Sequence, residues 1–422
     1  MSIRIIQKKK HLFRLTAILT TVSLFSYMRP RPVYAVTPQP REIIVAVIDT
    51  GVNTEHDLLK QHIWVNNAEI PGNGLDDDRN GYIDDIYGWD FYNNDATVFH
   101  DKAYTDSDSS VYYEDDHGTH VAGLIVSAAE RCKEMLNGKS TYDIKIMVLK
   151  ISGGEDSSGS TANAVKAIKY AENKGAVICN LSWGSNENDG ALKRVMERSD
   201  MLFVCCAGNE GLNNDVTPVY PAGYEYDNVL AVTGAEIGEE VRLTGNYGRL
   251  DVDICADGID RMSSVSHGWG FKSGASMATA EVCGIAAAVM SVARIGASET
   301  RKLLIETSDP IPNVTQVTLA GGLCNEEKTM ARMLPLAENE AYKTPAGMLL
   351  NYNEISVEEG RGFTLKYLAL PGIYAAAEFI SSDDEVATVS YNGLVICKKK
   401  GDAVITVKLE NCGESTCLVH VR

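Results

Sequence analysis

From residue 41 to about residue 309 the chain alternates between short, nearly unbroken apolar runs and longer stretches with apolar residues every three or four positions. The runs are Ile43–Ile48, Ile144–Leu149, Ala176–Asn180, Leu202–Ala207, Val229–Val232 and Val252–Ile254. Their length and lack of polar alternation predict strands buried on both faces, as in a parallel sheet. Between them, Thr161–Lys174 places Ala164, Ala167, Ile168 and Ala171 at helical spacing behind Ser160 as a cap, and Ser276–Val292 is a long Ala-rich run. Strands alternating with helices predict an α/β fold, a three-layer doubly wound sandwich around a mainly parallel sheet. Sites in such folds form at the carboxyl ends of the strands.

Two segments break this rhythm. Asn66–Asp95 is rich in Asp, Asn and Gly and can be ordered only if something neutralises its acids, while Asp101–Asp116 reads as a polar surface loop. After residue 334 the rhythm changes altogether. Residues 335–350 read as a linker. Phe363–Leu368, Val386–Val389, Leu394–Cys397, Ala403–Leu409 and Thr416–Val421 are then short β-type runs between Gly, Asn and Asp turns, predicting a small all-β sandwich over 351–422.

At the front, residues 1–14 are basic, Leu15–Met28 is mostly apolar, and Val33-Tyr34-Ala35 is a small-residue cleavage pattern. This is the layout of a secretory signal peptide over residues 1–35; the apolar stretch is short for a bilayer span and broken by Thr and Ser. The expected location is secreted or at the extracellular surface, with the α/β domain over 36–334.

Charge narrows the partners. Residues 1–35 hold seven Lys/Arg and no acid, so without them 32 basic and 57 acidic residues remain, a net of −25. No basic cluster suited to a phosphate backbone is left, so nucleic acid is not an expected partner. Of ten Cys, Cys179, Cys205, Cys206, Cys255 and Cys283 lie in apolar runs and are expected as free core thiols, while Cys397, Cys412 and Cys417 are close enough to hold one bridge.

Four strings carry the candidate chemistry. Asp49-Thr50-Gly51 puts a carboxylate just past an apolar strand. Alone it is also a plain turn, or half of an aspartic-protease dyad, for which no second copy exists. Asp116-His117-Gly118-Thr119-His120 offers a histidine followed by a glycine, as where a helix starts under close approach. Two His three apart also suit a metal, but the Glu of a zinc helix is missing. Ser273-Gly274-Ala275-Ser276 places a hydroxyl at the start of an apolar helix, either as a cap or as a nucleophile beside free backbone N–H groups. Cys206-Ala207-Gly208-Asn209 presents an amide past a strand end, able to donate to an oxyanion. Asp, His, Ser is one of the known chain orders for a catalytic triad.

With these strings in hand, residues 41–334 resemble the subtilisin-like serine proteases. Val47–Gly51, His117–Gly123, Ala207–Gly211 and Gly274–Ala278 carry the match; Thr217–Ala222 and Gly321–Asn325 add to it. The resemblance implies Asp49, His117 and Ser276 as the triad and Asn209 with the Ser276 N–H as the oxyanion hole. It implies Ser182, Trp183, Gly184 and Gly208 at the substrate, with the bulky Trp183 narrowing a pocket. His120 is expected to be structural. The family pattern is broken at Ala275, where Thr is usual, and at Ala280 and Asp257, where Pro is usual. Only Val36–Pro40 separates the expected cleavage point from the Asp49 strand, and the propeptide most relatives carry is not visible there; the expectation is that the enzyme folds unaided, that another protein helps, or that the chain start is misassigned.

Asp76, Asp78, Asn80 and Gly81 match the start of a calcium loop, with Tyr82 and Asp84 or Asp85 offering further oxygens. The twelfth position is Tyr87, so it is not an EF-hand. One structural Ca²⁺ held by Asp76, Asp78, Asn80, Tyr82 and Asp84 is expected, and no cofactor for catalysis.

Ser381–Asp383, Val386–Val389, Asn392–Val395 and Gly401–Thr406 resemble a bacterial immunoglobulin-like domain of group 2, with Phe379 where Trp is frequent. That resemblance implies a spacer or a contact with a cell-surface component. Two functions are therefore expected in competition: a secreted endopeptidase acting on polypeptides through an acyl-enzyme, and an inactive relative that binds peptides or surface polymers.

Overall fold

A computed structural model describes residues 41–422, apart from 106–108, 137–141, 156–157, 239, 293–294, 313, 339–346, 371–376, 391–392 and 410–412. The signal peptide expected at 1–35 lies outside the described residues.

The apolar runs form one ten-stranded sheet. Its parallel centre runs, in spatial order, Ile254–Asp257, Val229–Glu236, Leu202–Cys206, Ile178–Leu181, Arg41–Asp49, Tyr142–Lys150 and Gly88–Asp90. The expected strand Val252–Ile254 is displaced to Ile254–Asp257, since Asp253 accepts from Ala231 N and pairs with Arg301.

Because successive strand residues face opposite sides, the sheet builds two cores. Ile43, Val45 and Val47 pack with helices Asp116–Met135 and Ala275–Val292. Ile44, Ala46 and Ile48 pack with helices Thr161–Asn173 and Gly190–Glu197. Ser160 caps the third of these helices through Asn163 N as expected. Asp49 continues the parity of Val47, so it turns toward the helix carrying His117. The Ala275–Val292 helix is buried all round and mostly apolar, Glu281 being its one charged residue, the mark of a core helix rather than an amphipathic surface one.

Two boundaries differ from expectation. Residues expected to begin the linker at 335 are helical to 338, since Met330 and Met333 bury that helix (Glu326–Glu338) in the core. Gly347–Leu350 is a strand paired with Tyr367–Leu370. The acidic stretch before His117 is also no plain surface loop: Ala103–Thr105 and Val111–Tyr113 form a hairpin, and Glu114 and Asp115 are buried.

The C-terminal residues form a four-stranded and a three-stranded sheet. Their inward positions, among them Ala387, Val395, Ala403, Ile405, Val407, Val419 and Val421, make a separate small core. Cys397 and Cys417 are free buried thiols and not bridged to one another; Cys412 lies outside the described residues. The thiols expected in the large core are free and buried.

Candidate active site

The Asp49 strand ends in a turn at the sheet's carboxyl rim. Asp49 is buried, and its Oδ1 accepts from Thr50 N at 2.7 Å and from His117 Nδ1 at 2.7 Å. Its Oδ2 is buried with no partner among the described residues. His117 stands in the first turn of its helix, and Gly118 explains the approach: a Cβ there would lie 2.3 Å from the Gly51 carbonyl oxygen. Instead Gly118 N donates to Thr50 Oγ1 at 3.1 Å. The imidazole is 34% exposed. Desolvation is the largest influence on it and pulls its pKa down. The charge and hydrogen bond of Asp49 together outweigh that, against a smaller opposing push from Lys272, and hold the pKa above the ordinary histidine value.

Ser276 is the second residue of its helix, where backbone N–H groups have no intrahelical acceptor. Its Oγ donates to the Ser182 carbonyl at 2.8 Å, and no hydrogen bond joins it to His117. The neighbouring contacts nonetheless gather the three residues at one rim. Trp183 Nε1 donates to the Ile48 carbonyl at 2.9 Å, just before Asp49, and Ser182 Oγ donates to the Ser276 carbonyl at 3.0 Å. Trp183, expected to narrow a pocket, is thus pinned by its indole to the Asp49 strand and half-buried against the sheet. Gly184 packs against Val219, and the next residue, Ser185, pairs with Tyr220 as an antiparallel bridge.

Asn209 is exposed, and its Oδ1 accepts from Ala275 N at 2.7 Å. This orients the amide beside the start of the Ser276 helix and leaves Nδ2 with no acceptor among the described residues. Gly208 before it has φ 105°, a conformation glycine adopts without strain, and Asn246 Nδ2 would lie 2.5 Å from any Cβ.

His120 is buried, and its Nε2 donates to the Arg261 and Gly270 carbonyls at 2.9 and 3.2 Å. Burial, foremost, draws its pKa down to about 4, so it is a neutral strut between its helix and the hairpin Arg261–Val265/Gly268–Lys272. One departure from the family pattern, Asp257, has a partner too. Asp257 pairs with Arg261 at 2.6 Å, Arg261 with Glu281 at 2.9 Å, and Glu281 with Arg131.

The acidic loop is ordered, but its expected ligand set is split. Asp76 accepts from Asn80 N and Gly81 N at 3.0 and 2.8 Å; Asn80 Oδ1 accepts from Tyr82 N at 2.7 Å. Asp84 is drawn away to the Asn73 and Gly74 N–H groups at 3.2 and 2.9 Å. The carboxylates that converge are Glu69, Asp78 and Asp85, with ligand oxygens within 4.8 Å of one another. Only Asp78 belongs to both sets. Asp85, the alternative to Asp84 in the sequence reading, is the one that joins the cluster, while Glu69 was missed because it lies outside the alternating spacing of a calcium loop. Glu69 is 6% exposed, and its Oε2 is buried without a partner. Lys174 pairs with Asp78 and lies 3.5 Å from Asp85, so one ammonium sits against two of the three carboxylates.

Sequence reading also missed Cys206, whose Sγ lies 4.0 Å from Ser276 Oγ, and Lys150, buried beneath the Asp49 turn. For Lys150 a signal existed: a lone charge closing the apolar run Ile146–Leu149.

Residues 40–334 match the peptidase S8 profile, described as the Subtilase family. The chain is 29% identical over 257 residues to the major intracellular serine protease of Bacillus subtilis (strain 168), covering 60% of this chain and 69% of that protein. It is 28% identical over 270 residues to subtilisin-like protease 1 of Plasmodium berghei (strain Anka), covering 59% of this chain and only 42% of that longer protein. Among solved structures, one described as "Structural basis of subtilase cytotoxin SubAB assembly" superposes with a TM-score of 0.52 at 21% identity, covering 71% of this chain and 92% of that one. A lanthipeptide protease does so with 0.51 at 20% identity, covering 69% and 87%. These structural likenesses speak for the fold, the profile speaks for descent, and the chain belongs to the subtilase family.

Proposed function

We propose that the protein is a serine endopeptidase that cleaves polypeptides through an acyl-enzyme. The observation that carries this reading is the 2.7 Å contact of a buried carboxylate with a half-exposed imidazole, at the rim where Ser276 opens a helix. In this reading a turn about the Ser276 Cα–Cβ bond moves its hydroxyl from the Ser182 carbonyl to His117 Nε2. Catalytic hydrogen bonds often tighten only once substrate is present. His117 takes the proton and returns it to the leaving amine, and Asp49 stabilises the imidazolium. The Asn209 amide and the Ser276 N–H receive the oxyanion. Substrate main chain pairs along Ser182–Gly184, with Gly208 opposite.

Labelling by an organophosphonate serine probe tests this, with Ser276→Ala as control. Labelling that Ser276→Ala abolishes is the expected result. A folded protein that takes no label would instead be an inactive peptide- or surface-binding relative.

The reading extends to a structural Ca²⁺ in the acidic loop, on Glu69, Asp78 and Asp85 rather than the alternating set expected from the sequence. Hard oxygen donors, an excess of negative charge over Lys174 and an unpartnered buried Glu69 oxygen support it. It also extends to secretion, supported by the basic, apolar and small-residue pattern of residues 1–35, and to a group 2 immunoglobulin-like domain that contacts a cell-surface component.

A further inference from the structure

Lys150 closes the strand Tyr142–Lys150 in register with Asp49 on the neighbouring strand, and it is fully buried. It shares the parity of Ile144, Ile146 and Val148, so it reaches toward the start of the His117 helix. Its Nζ donates to the Thr50 carbonyl, donates to Asp115 Oδ1 at 2.5 Å and lies 3.0 Å from Glu114 Oε1. All three ammonium protons are thereby used. Thr50 directly follows Asp49. Asp115 directly precedes the His117 helix, and its second oxygen accepts from His100 N at 2.5 Å.

A buried ion cluster is a poor device for stability alone, because apolar side chains of similar volume serve as well or better. What three directed bonds supply, and packing does not, is a fixed place for the Thr50 carbonyl relative to Asp115. Those two points bracket the residues in contact, Asp49 on one side and His117 on the other. We infer that Lys150 is a positioning residue of the peptide-bond chemistry, clamping the Asp49–Thr50 turn to the start of the His117 helix and so setting the Asp49–His117 contact. The inference rests on the triad reading above.

The test uses the full chain with Lys150→Met, the double variant Lys150→Met/Asp115→Asn and Ser276→Ala. The double variant keeps the cluster's net charge and removes one of the two carboxylates that would be left buried beside a lost ammonium; Glu114, the other, keeps its bond from Tyr104. A misplacement of about 1 Å costs about 100-fold, so kcat is expected to fall about 10- to 100-fold in both Lys150 variants while KM changes less than about twofold. The acid limb of kcat/KM is expected at lower pH, since His117 then keeps its desolvation with a weaker hold from Asp49. Lys272 from the hairpin and His120 from its own helix also act on His117 and are unchanged.

Wild-type kcat and acid limb in a folded variant would overturn the proposal. So would recovery of kcat in the double variant, or failure of both to fold, because each would assign Lys150 to stability alone. Activity surviving in Ser276→Ala would sink the triad reading itself. An inactive Ser276→Ala beside unaffected Lys150 variants would sink only the clamp.

Discussion

Replacing Asp49 by Asn probes the site most directly, because it keeps shape and removes one charge. Asp49 Oδ1 accepts two N–H groups, while Oδ2 is buried with no partner among the described residues. An Asn with its oxygen at the Oδ1 position leaves its NH₂ buried without an acceptor, a cost of about 1–3 kcal/mol. The flipped amide faces the Thr50 N–H with a second donor and forces His117 Nδ1 to accept, which is the wrong tautomer for a base at Nε2. In both cases the developing imidazolium loses its counter-charge. An ion pair at 4 Å in an effective dielectric of 20 is worth about 4 kcal/mol. At the observed 2.7 Å this scales to roughly 6 kcal/mol, which partial exposure of the imidazole screens toward the lower figure. Since about 1.4 kcal/mol is one decade of rate, kcat should fall roughly 10³- to 10⁴-fold with KM little changed. Steady-state kinetics on a fluorogenic peptide, with circular dichroism to establish folding, reads this. A folded Asp49→Asn enzyme that loses less than tenfold would refute the assignment.

The raised His117 pKa predicts that the acid limb of kcat/KM lies above the ordinary histidine value of about 6.5. The stability contribution runs the other way: it is fully present below the unfolded pKa and is lost as pH rises through the folded one. A pH–rate profile with its acid limb at or below 6.5 would contradict this placement of Asp49. Asn209→Ala should lower kcat about 100- to 1,000-fold, a range carried over from subtilisin, with KM nearly constant, because the amide meets charge only in the transition state. Chelation should lower the thermal midpoint, and Glu69→Gln should blunt that response; identical melting curves with and without chelator would remove the ion from the acidic loop. Ser276→Ala should leave folding intact, since Ser276 Oγ makes a replaceable bond to the Ser182 carbonyl and a long 4.0 Å contact with Cys206 Sγ, and a large drop in its midpoint would mean that the hydroxyl serves the fold.

Period and chain order made most of the fold legible. Ile43–Ile48 read as a doubly buried strand, the Ala-rich run after Gly274 as an apolar helix, and the strings around Asp49, His117, Asn209 and Ser276 marked out the candidate site. These are local properties: burial on both faces needs unbroken apolar residues, and close approach needs glycine. The tertiary structure alone decided which groups face which across the folded chain. It turned Ser276 toward Ser182, fixed Trp183 against Ile48, drew Asp84 off to Asn73 and Gly74, and brought Glu69 into the acidic cluster in its stead. It also buried Lys150 between Thr50 and Asp115, which lie far apart in sequence. Hydrogen bonds and ion pairs between distant segments depend on distances that a sequence does not contain, whereas the pattern of burial is written residue by residue.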